Sequence, residues 1–443
     1  MSSIGSVERK SNMSPGRRGK QLPIIRAFFD AVRAGNVRTV RAILRRNELP
    51  NINVVDTTDK TRPTALIIAC QNGDLEMVKT LFKAKPKTPD VNLTNRKGRR
   101  PIWIATNLSN VEIVEILLKR KKVEVDFLDP ITGMTPLFTS IMRNSAPICQ
   151  LLIHAKADVN LRQLGFDSEA ESPLIKAVQL NNLKICELLV NSLCHIEART
   201  ESGFSALHYA VAYRRYDICQ FLLEQKIDLH GQSRNGVTAM TLAIAHQVPR
   251  MVSILIQFGY SFEKKYKWAE TPLEHAIAVH SEECAMTLVH WGCPLFVKSD
   301  HQKPSYFQAA MAEGLFTLGR LLSELNPLFL NESWLKNRVI TLSLYHKPHL
   351  CSWLFARSSN PMPLQYICRA RIWASLGKYA PKKVLKLPLP KRLLEFVSFS
   401  EFFFEEMYNR KGLELRECPF DCVVNCDFND CPPIEFLPSD ESE

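Results

Sequence analysis

Two clusters in this chain have the residue types of a metal site. His275 and His280 are followed at once by Ser281, Glu282 and Glu283, and near the C-terminus Cys418, Cys422, Cys426 and Cys431 run through acidic surroundings. Imidazoles beside a carboxylate can hold zinc and deprotonate its water, and four thiolates can close a structural zinc site. The spacing argues against both. A zinc helix of the protease type needs His-Glu-x2-His, and zinc knuckles pair their cysteines across a longer loop. The run Cys-x3-Cys-x3-Cys-x4-Cys is too even and too compact for that. No metal and no cofactor is therefore expected. Nor does a Gly-rich phosphate loop or a local nucleophile signature occur. Cys70, Cys149, Cys186, Cys219 and Cys284 stand singly inside apolar helical patterns and read as small core residues in a reducing compartment. The chain reads as non-catalytic.

His275 belongs to a larger pattern. It follows Thr271-Pro272-Leu273, whose counterparts are Thr64-Ala65-Leu66, Arg100-Pro101-Ile102, Thr135-Pro136-Leu137, Ser172-Pro173-Leu174, Ser205-Ala206-Leu207 and Thr238-Ala239-Met240. Their first residues lie 36, 35, 37, 33, 33 and 33 positions apart. A period near 33 opened by Thr-Pro-Leu is the ankyrin signature. Small residues follow at a fixed offset, as in Ala69-Cys70, Ala105-Thr106, Ala210-Val211 and Ala243-Ile244, where they let helices of adjacent units approach closely. A second helical pattern comes next, such as Ile218, Cys219, Leu222 and Leu223. Extended pairs such as Asp90-Val91-Asn92 lead to the next turn. The stretch 24–46 reads as a first unit without its hairpin, and 305–322 as a degenerate late one. Three departures stand out: Arg62 replaces a customary glycine, the customary turn histidine survives only as His208, and residues 161–171 lengthen one connection.

A different pattern begins at residue 363. Leu364, Cys368 and Ile372 recur every fourth residue, with Leu376 next in the row, so on a helix they form one apolar stripe. Leu387-Pro388-Leu389-Pro390 cannot be helix interior, and Leu393, Leu394, Phe396 and Val397 restart an apolar helical pattern. A helix, a proline turn and a second helix in about forty residues bury too little to fold alone, so such a unit docks on a partner. Leu364-x3-Cys368-x3-Ile372 resembles the elongin-binding BC box, and the segment from Val384 through Leu387-Pro388-Leu389-Pro390 to Phe396-Val397 resembles a cullin-5 box. Together they look like a SOCS box. The bland reading is an amphipathic hairpin that caps the preceding domain.

Repeats followed by such a box resemble the ankyrin repeat and SOCS box (ASB) family over roughly residues 24–397. The implied fold is mostly α: an ankyrin-repeat solenoid of about nine helix–turn–helix repeats with short hairpins, then a small three-helix SOCS box. The division expected is 1–22 as a disordered basic N-terminus, 23–325 as the repeat array and 326–360 as a helical capping segment. The box then occupies 361–398, and 399–443 is a largely flexible acidic extension. The resemblance implies elongin C (with elongin B) on Leu364, Cys368, Ile372 and Leu376, and cullin-5 with its RING subunit through Leu387, Pro388, Leu389 and Pro390. The family's members serve as substrate-recognition subunits of ubiquitin ligases, which leaves the chemistry to other subunits. The alternative is a non-catalytic ankyrin scaffold without ubiquitin transfer.

The formal charge of +12 raises the question of nucleic acid. Its excess lies mainly in the N-terminal third, without interleaved stacking aromatics, and is read as attracting acidic protein segments instead. The candidate substrate surface comprises Arg96, Arg99, Arg100, Arg143, Tyr213, Arg214, Lys267 and Trp268, at hairpin tips and first-helix faces. The same residues read equally well as solvated tips. The first twenty residues are polar and basic, and no apolar run reaches membrane-spanning length. A soluble protein of the cytoplasm, with the nucleus open as well, is the expectation.

Overall fold

A hydroxyl followed by proline is suited to start a helix: the oxygen accepts from a first-turn N–H, and proline lacks the donor that such a turn leaves unused. Thr135 accepts from the Phe138 N–H at 3.0 Å, Thr271 from Glu274 at 3.1 Å and Ser172 from Ile175 at 3.3 Å. The computed structural model in which these contacts occur describes residues 15–46, 49, 51–84, 88–120, 122–163, 171–262, 271–295, 304–326, 329–330 and 347–359, with single positions at 332, 335, 337, 372, 376, 383, 386, 387 and 389.

Nineteen helices lie among the described residues, in two compact units divided after Val237. The first unit holds α1 (Pro15–Arg33), α2 (Val37–Arg45), α3 (Ala65–Asn72), α4 (Leu75–Phe82), α5 (Pro101–Asn107), α6 (Val111–Leu118), α7 (Pro136–Met142), α8 (Ala146–His154), α9 (Pro173–Gln179), α10 (Leu183–Asn191), α11 (Ala206–Ala212) and α12 (Tyr216–Glu224). The second holds α13 (Ala239–Ala245), α14 (Pro249–Gln257), α15 (Pro272–Ala278), α16 (Glu282–His290), α17 (Tyr306–Ala312), α18 (Phe316–Leu325) and α19 (Pro348–Ser359). Helical backbone begins at Pro15, inside the stretch expected to be disordered, and Pro15 at the first turn loses no hydrogen bond by lacking an N–H.

Consecutive helices pair, and the pairs stack in two layers within each unit. In the first, α1, α3, α5, α7, α9 and α11 pack in sequence as one layer and the even-numbered helices as the other. In the second, α13, α15 and α17 form one layer and α14, α16 and α18 the other. The described helices α1 to α18 thus make nine pairs, which is the ankyrin solenoid fold. The long connection over 161–171 does not disturb the stack: α7 packs on α9 and α8 on α10 as elsewhere.

The close approach of first-layer helices depends on small residues. From α3 onward, Ala69, Ala105, Ala177, Ala210, Ala243, Ala276 and Ala310 stand at the same offset from their caps and are fully buried, with Ser140 at that offset in α7. Ser140 satisfies its hydroxyl on the Leu137 carbonyl at 2.7 Å. Around them Leu66, Ile102, Leu137, Leu174, Leu207, Met240 and Leu273 fill the core.

Between the two helices of each pair the chain reverses through one residue with positive φ. These are Gly35, Gly73, Ser109, Asn144, Asn181, Arg214, Gln247, His280 and Gly314, with φ from 54° to 79°. A second left-handed position precedes the first-helix caps, occupied by Gly98, Gly133, Gly203 and Gly236 and, in one hairpin, by Arg62 at φ 44°. A Cβ at Gly203 would meet the Arg234 backbone N at 2.7 Å, so glycine is required there. Arg62 pays for a side chain where glycine rests without strain. Replacing it by glycine is expected to raise stability by about 0.5–1 kcal/mol, read as a higher urea midpoint, since left-handed geometry costs an L-residue roughly 1–2 kcal/mol and glycine returns part of that as chain entropy. An unchanged or lower midpoint contradicts the strain.

Asparagine, aspartate and glutamate side chains join the first unit's connections into a ladder. Asn53 accepts from the Asp90 N–H (2.8 Å), Asn92 from Glu124 (3.0 Å), Asp126 from Asp158 (2.9 Å), Asn160 from His195 (2.8 Å) and Glu197 from Asp228 (2.6 Å). Each side chain therefore satisfies a backbone donor one repeat away, where the described residues form no continuous strand pairing to do so. Among the described residues the hairpins contribute two isolated antiparallel bridges, Val55 with Thr64 and Arg199 with Ser205.

Candidate functional site

The two histidines of the pair are divided between a helix and the turn that follows it. His280 is the left-handed residue between α15 and α16, and its Nε2 lies 3.3 Å from a Glu313 carboxylate oxygen. His275 lies inside α15. Among the described residues no three His, Cys, Asp or Glu side chains converge as metal ligands. Cys418, Cys422, Cys426 and Cys431 fall outside the described residues. Burial pushes the Cys149 thiol up to about 11, and those of Cys186, Cys219 and Cys293 to about 12, so all four are protonated at neutral pH and are not thiolate nucleophiles.

His208 is the histidine whose role the structure defines. Its Nδ1 accepts from the Ser205 N–H (3.2 Å) and lies 2.8 Å from the Ser205 hydroxyl, while Nε2 reaches the Val237 carbonyl at 3.1 Å. A neutral ring protonated on Nε2 satisfies all three groups. Burial lowers its proton affinity below the ordinary histidine value and favours that form. His208 ties a helix cap to the following connection and is a structural residue.

The candidate substrate residues divide by what already holds them. Arg99 directs Nε at Asp129, 3.2 Å away, and lies over the Trp103 ring at 4.3 Å. Arg100 pairs with Glu124 at 2.5 Å and covers the Phe127 ring at 4.5 Å. Both are fastened across adjacent connections and are not free tips. Arg96 is exposed and its backbone N–H donates to the Thr61 carbonyl at 2.7 Å. Arg143 is exposed and bonds the Asn107 side-chain oxygen through Nε (3.2 Å) and Nη2 (2.8 Å). Tyr213 is exposed and stacks on Tyr209 with ring centroids 6.3 Å apart, and Arg214 is the left-handed residue beside it. Lys267 and Trp268 fall outside the described residues.

The structure adds exposed apolar residues that the sequence reading passed over: Leu108, Met142 and Leu180. With Tyr213 they stand where the first helix ends and turns toward the second, in four successive pairs, Met142 as the last helical residue and the others one position beyond. The signal was present in the pattern, since each falls seven or eight residues after a cap, beyond the buried stripe of its helix.

In the terminal box only part of the expected contact set is described. Ile372 and Leu376 have helical backbone and are half-buried. Lys383 donates through Nζ to the Leu376 carbonyl at 2.6 Å. Leu387 and Leu389 are half-buried, and the Leu389 N–H closes on the Leu387 carbonyl at 2.8 Å. Leu364, Cys368, Pro388 and Pro390 lie outside the described residues. Leu335, Cys351 and Leu354, in the segment before the box, are buried.

Comparison with known families matches ankyrin repeats in three copies, over residues 28–126, 84–163 and 163–233, and a SOCS box over residues 360–398. Among curated proteins the chain is similar to ankyrin repeat protein nuc-2 of Neurospora crassa, 27% identical over 107 residues that make up 24% of this chain and 10% of that one. It is also similar to the B-cell lymphoma 3 protein homolog of Mus musculus, 28% identical over 115 residues, 26% of this chain and 25% of that protein. The chain spans a tenth to a quarter of the length of these two relatives. Among solved structures it is similar to the human ASB11 ankyrin repeat domain, with 22% identity and a TM-score of 0.40, covering 48% of this chain and 92% of that one. The Bcl-3 ankyrin repeat domain gives 21% identity and a TM-score of 0.45, covering 52% and 97%. Repeats and box are both protein-interaction modules, and the chain has the architecture of an interaction adaptor.

Proposed function

We propose that this chain, which belongs to the ankyrin repeat and SOCS box family, is the substrate-recognition subunit of a ubiquitin ligase built on elongins B and C and cullin-5. The observation that carries the proposal is the order of its modules: a SOCS box at residues 360–398 follows the repeats on one chain. The repeats hold a target protein. The stripe of Leu364, Cys368, Ile372 and Leu376 inserts into elongin C, and Leu387 to Pro390 contact cullin-5. Ubiquitin transfer belongs to the RING subunit and its conjugating enzyme, and this chain contributes proximity and choice of target. On this reading the protein works in the cytoplasm or the nucleus, and its targets go to proteasomal degradation.

Capture of the full chain from cell lysate, read by mass spectrometry, tests the reading. Elongin B, elongin C and cullin-5 are expected together; capture of other proteins without them means a scaffold, and nuclease-sensitive capture means a nucleic-acid binder. The proline turn separates the two docking steps. Pro388→Ala with Pro390→Ala is expected to spare elongin and weaken cullin-5 about tenfold, because each proline holds the chain extended before binding and its loss costs about 0.4–1 kcal/mol in ordering. Equal loss of both partners, or of neither, contradicts that division.

A further inference from the structure

The turns between first and second helices of the third to sixth pairs form a row with unusual chemistry. Its twelve residues are Asn-Leu-Ser (107–109), Met-Arg-Asn (142–144), Gln-Leu-Asn (179–181) and Ala-Tyr-Arg (212–214), and none is a carboxylate. Leu108 is 47% exposed, Met142 38%, Leu180 37% and Tyr213 49%. These are four of the nine large apolar side chains exposed among the described residues. Elsewhere the same positions present no exposed large apolar side chain: Gln71-Asn72-Gly73 before the row in this unit, and Ala245-His246-Gln247 and Ala278-Val279-His280, whose valine is half-buried, in the second unit.

Cations stand between these apolar side chains. Arg143 bonds the neutral amide of Asn107, and Arg215 donates through Nη2 to the Gln179 carbonyl at 3.3 Å with its guanidinium 6.0 Å from the Tyr213 ring. Neither pairs with a carboxylate among the described residues, in contrast to Arg99 and Arg100. The surrounding unit is basic as well. Residues 1–237 hold 35 Lys and Arg against 23 Asp and Glu, which accounts for the whole formal excess of +12. A row of apolar side chains separated by unneutralised cations is complementary to a segment in which apolar residues and carboxylates alternate.

We propose that Leu108, Met142, Arg143, Leu180, Tyr213 and Arg215 dock an extended, carboxylate-rich segment of a recruited protein, its apolar side chains against Leu108, Met142, Leu180 and Tyr213 and its carboxylates on the two arginines. The reach fits such a segment. Helices α5, α7, α9 and α11 pack each on the next, and at roughly 8–10 Å per step the row extends roughly 25–30 Å, the length of about eight extended residues. The inference rests on the adaptor reading of the repeats and is independent of the terminal box.

The test uses the full chain, bound to elongins B and C if it captures them, as bait for a randomised dodecapeptide library displayed on phage. Enrichment of peptides that combine Asp or Glu with Leu, Ile, Phe or Met is the expected result. Two variants then divide the face: Leu108→Ser with Leu180→Ser removes apolar contact, and Arg143→Gln with Arg215→Gln removes charge. Each is expected to weaken the enriched peptides at least tenfold, with the charge variant also abolishing the salt dependence. The leucines are exposed, so the first variant should melt with the parent and remains informative even if the second is unstable. Enrichment of basic or purely polar peptides, no enrichment, or peptides that bind the leucine variant undiminished overturns the proposal. Elongin capture by the same bait is scored in parallel. Its loss with peptide binding intact rejects the ligase reading alone, and the converse rejects this docking face alone.

Discussion

Replacing Leu364 and Cys368 together by alanine should reduce elongin C affinity by at least tenfold, and elongins B and C should no longer co-purify with the chain. The expectation follows from the stripe. Residues 364, 368, 372 and 376 recur at helical spacing, and a module of about forty residues has too little core of its own to need all of them. An apolar side chain that such a module does not bury in itself is available to a partner. Fully burying a leucine contributes about 1.5–3 kcal/mol, so truncation to alanine removes a large part of that, and the thiol adds a smaller share. At about 1.4 kcal/mol per decade the combined loss exceeds tenfold. Unchanged recovery of both elongins with the double variant would refute the assignment of residues 363–397 as a docking box, and the bland reading of a capping hairpin would then hold. In that case the thermal stability of the repeats should fall instead, which the same preparation reports.

Arg99→Glu should destabilise the first unit by roughly 2–4 kcal/mol, because it leaves a buried carboxylate facing a second one. The Asp129 side chain is fully buried, and its Oδ1 receives the Arg99 Nε. The Thr132 N–H and hydroxyl still serve Oδ2, at 3.0 and 2.8 Å, so the loss stays below that of a completely orphaned charge. Reversal also removes the cation over the Trp103 ring. At roughly 2–4 °C per kcal/mol for a unit of this size the melting temperature should drop by roughly 4–16 °C. Arg99→Lys should lose far less, since a cation remains near Asp129. A melting temperature for Arg99→Glu within a degree of the parent means that the ion pair contributes nothing to the fold. A practical consequence follows for binding experiments: loss of a partner by Arg99→Glu reports damage to the repeat, so the docking face is better tested at exposed Leu108 and Leu180.

Arg99 also shows where sequence reading stops. In the chain it stands within Arg96-Lys97-Gly98-Arg99-Arg100, a basic hairpin tip by every local criterion. Its partner, Asp129, lies 30 residues away in the next connection, and only stacking of the repeats brings them together. Arg100 with Glu124 is the same case. The apolar turn residues were missed for the opposite reason: Leu108 and Leu180 continue a helical apolar pattern by one more position, and only their offset of eight residues from the cap sets them apart from the buried stripe. His280 was drawn into a metal pattern by its neighbours, whereas its backbone occupies the left-handed turn position shared by all nine pairs.

The chain by itself determined the repeat period, the helix starts, the small residues between layers and the identity of the terminal box. These depend on local hydrogen-bond demands and on spacing along one helix, which recur within any window of about 33 residues and need no knowledge of neighbours. Tertiary structure alone decided which arginines are fastened, which polar side chains serve the backbone of the next repeat, and which apolar residues remain exposed. Those outcomes depend on side chains 24 or more positions apart becoming adjacent, as in Arg100 with Glu124, Arg99 with Asp129 and Asn53 with Asp90, and proximity of that kind is created by stacking.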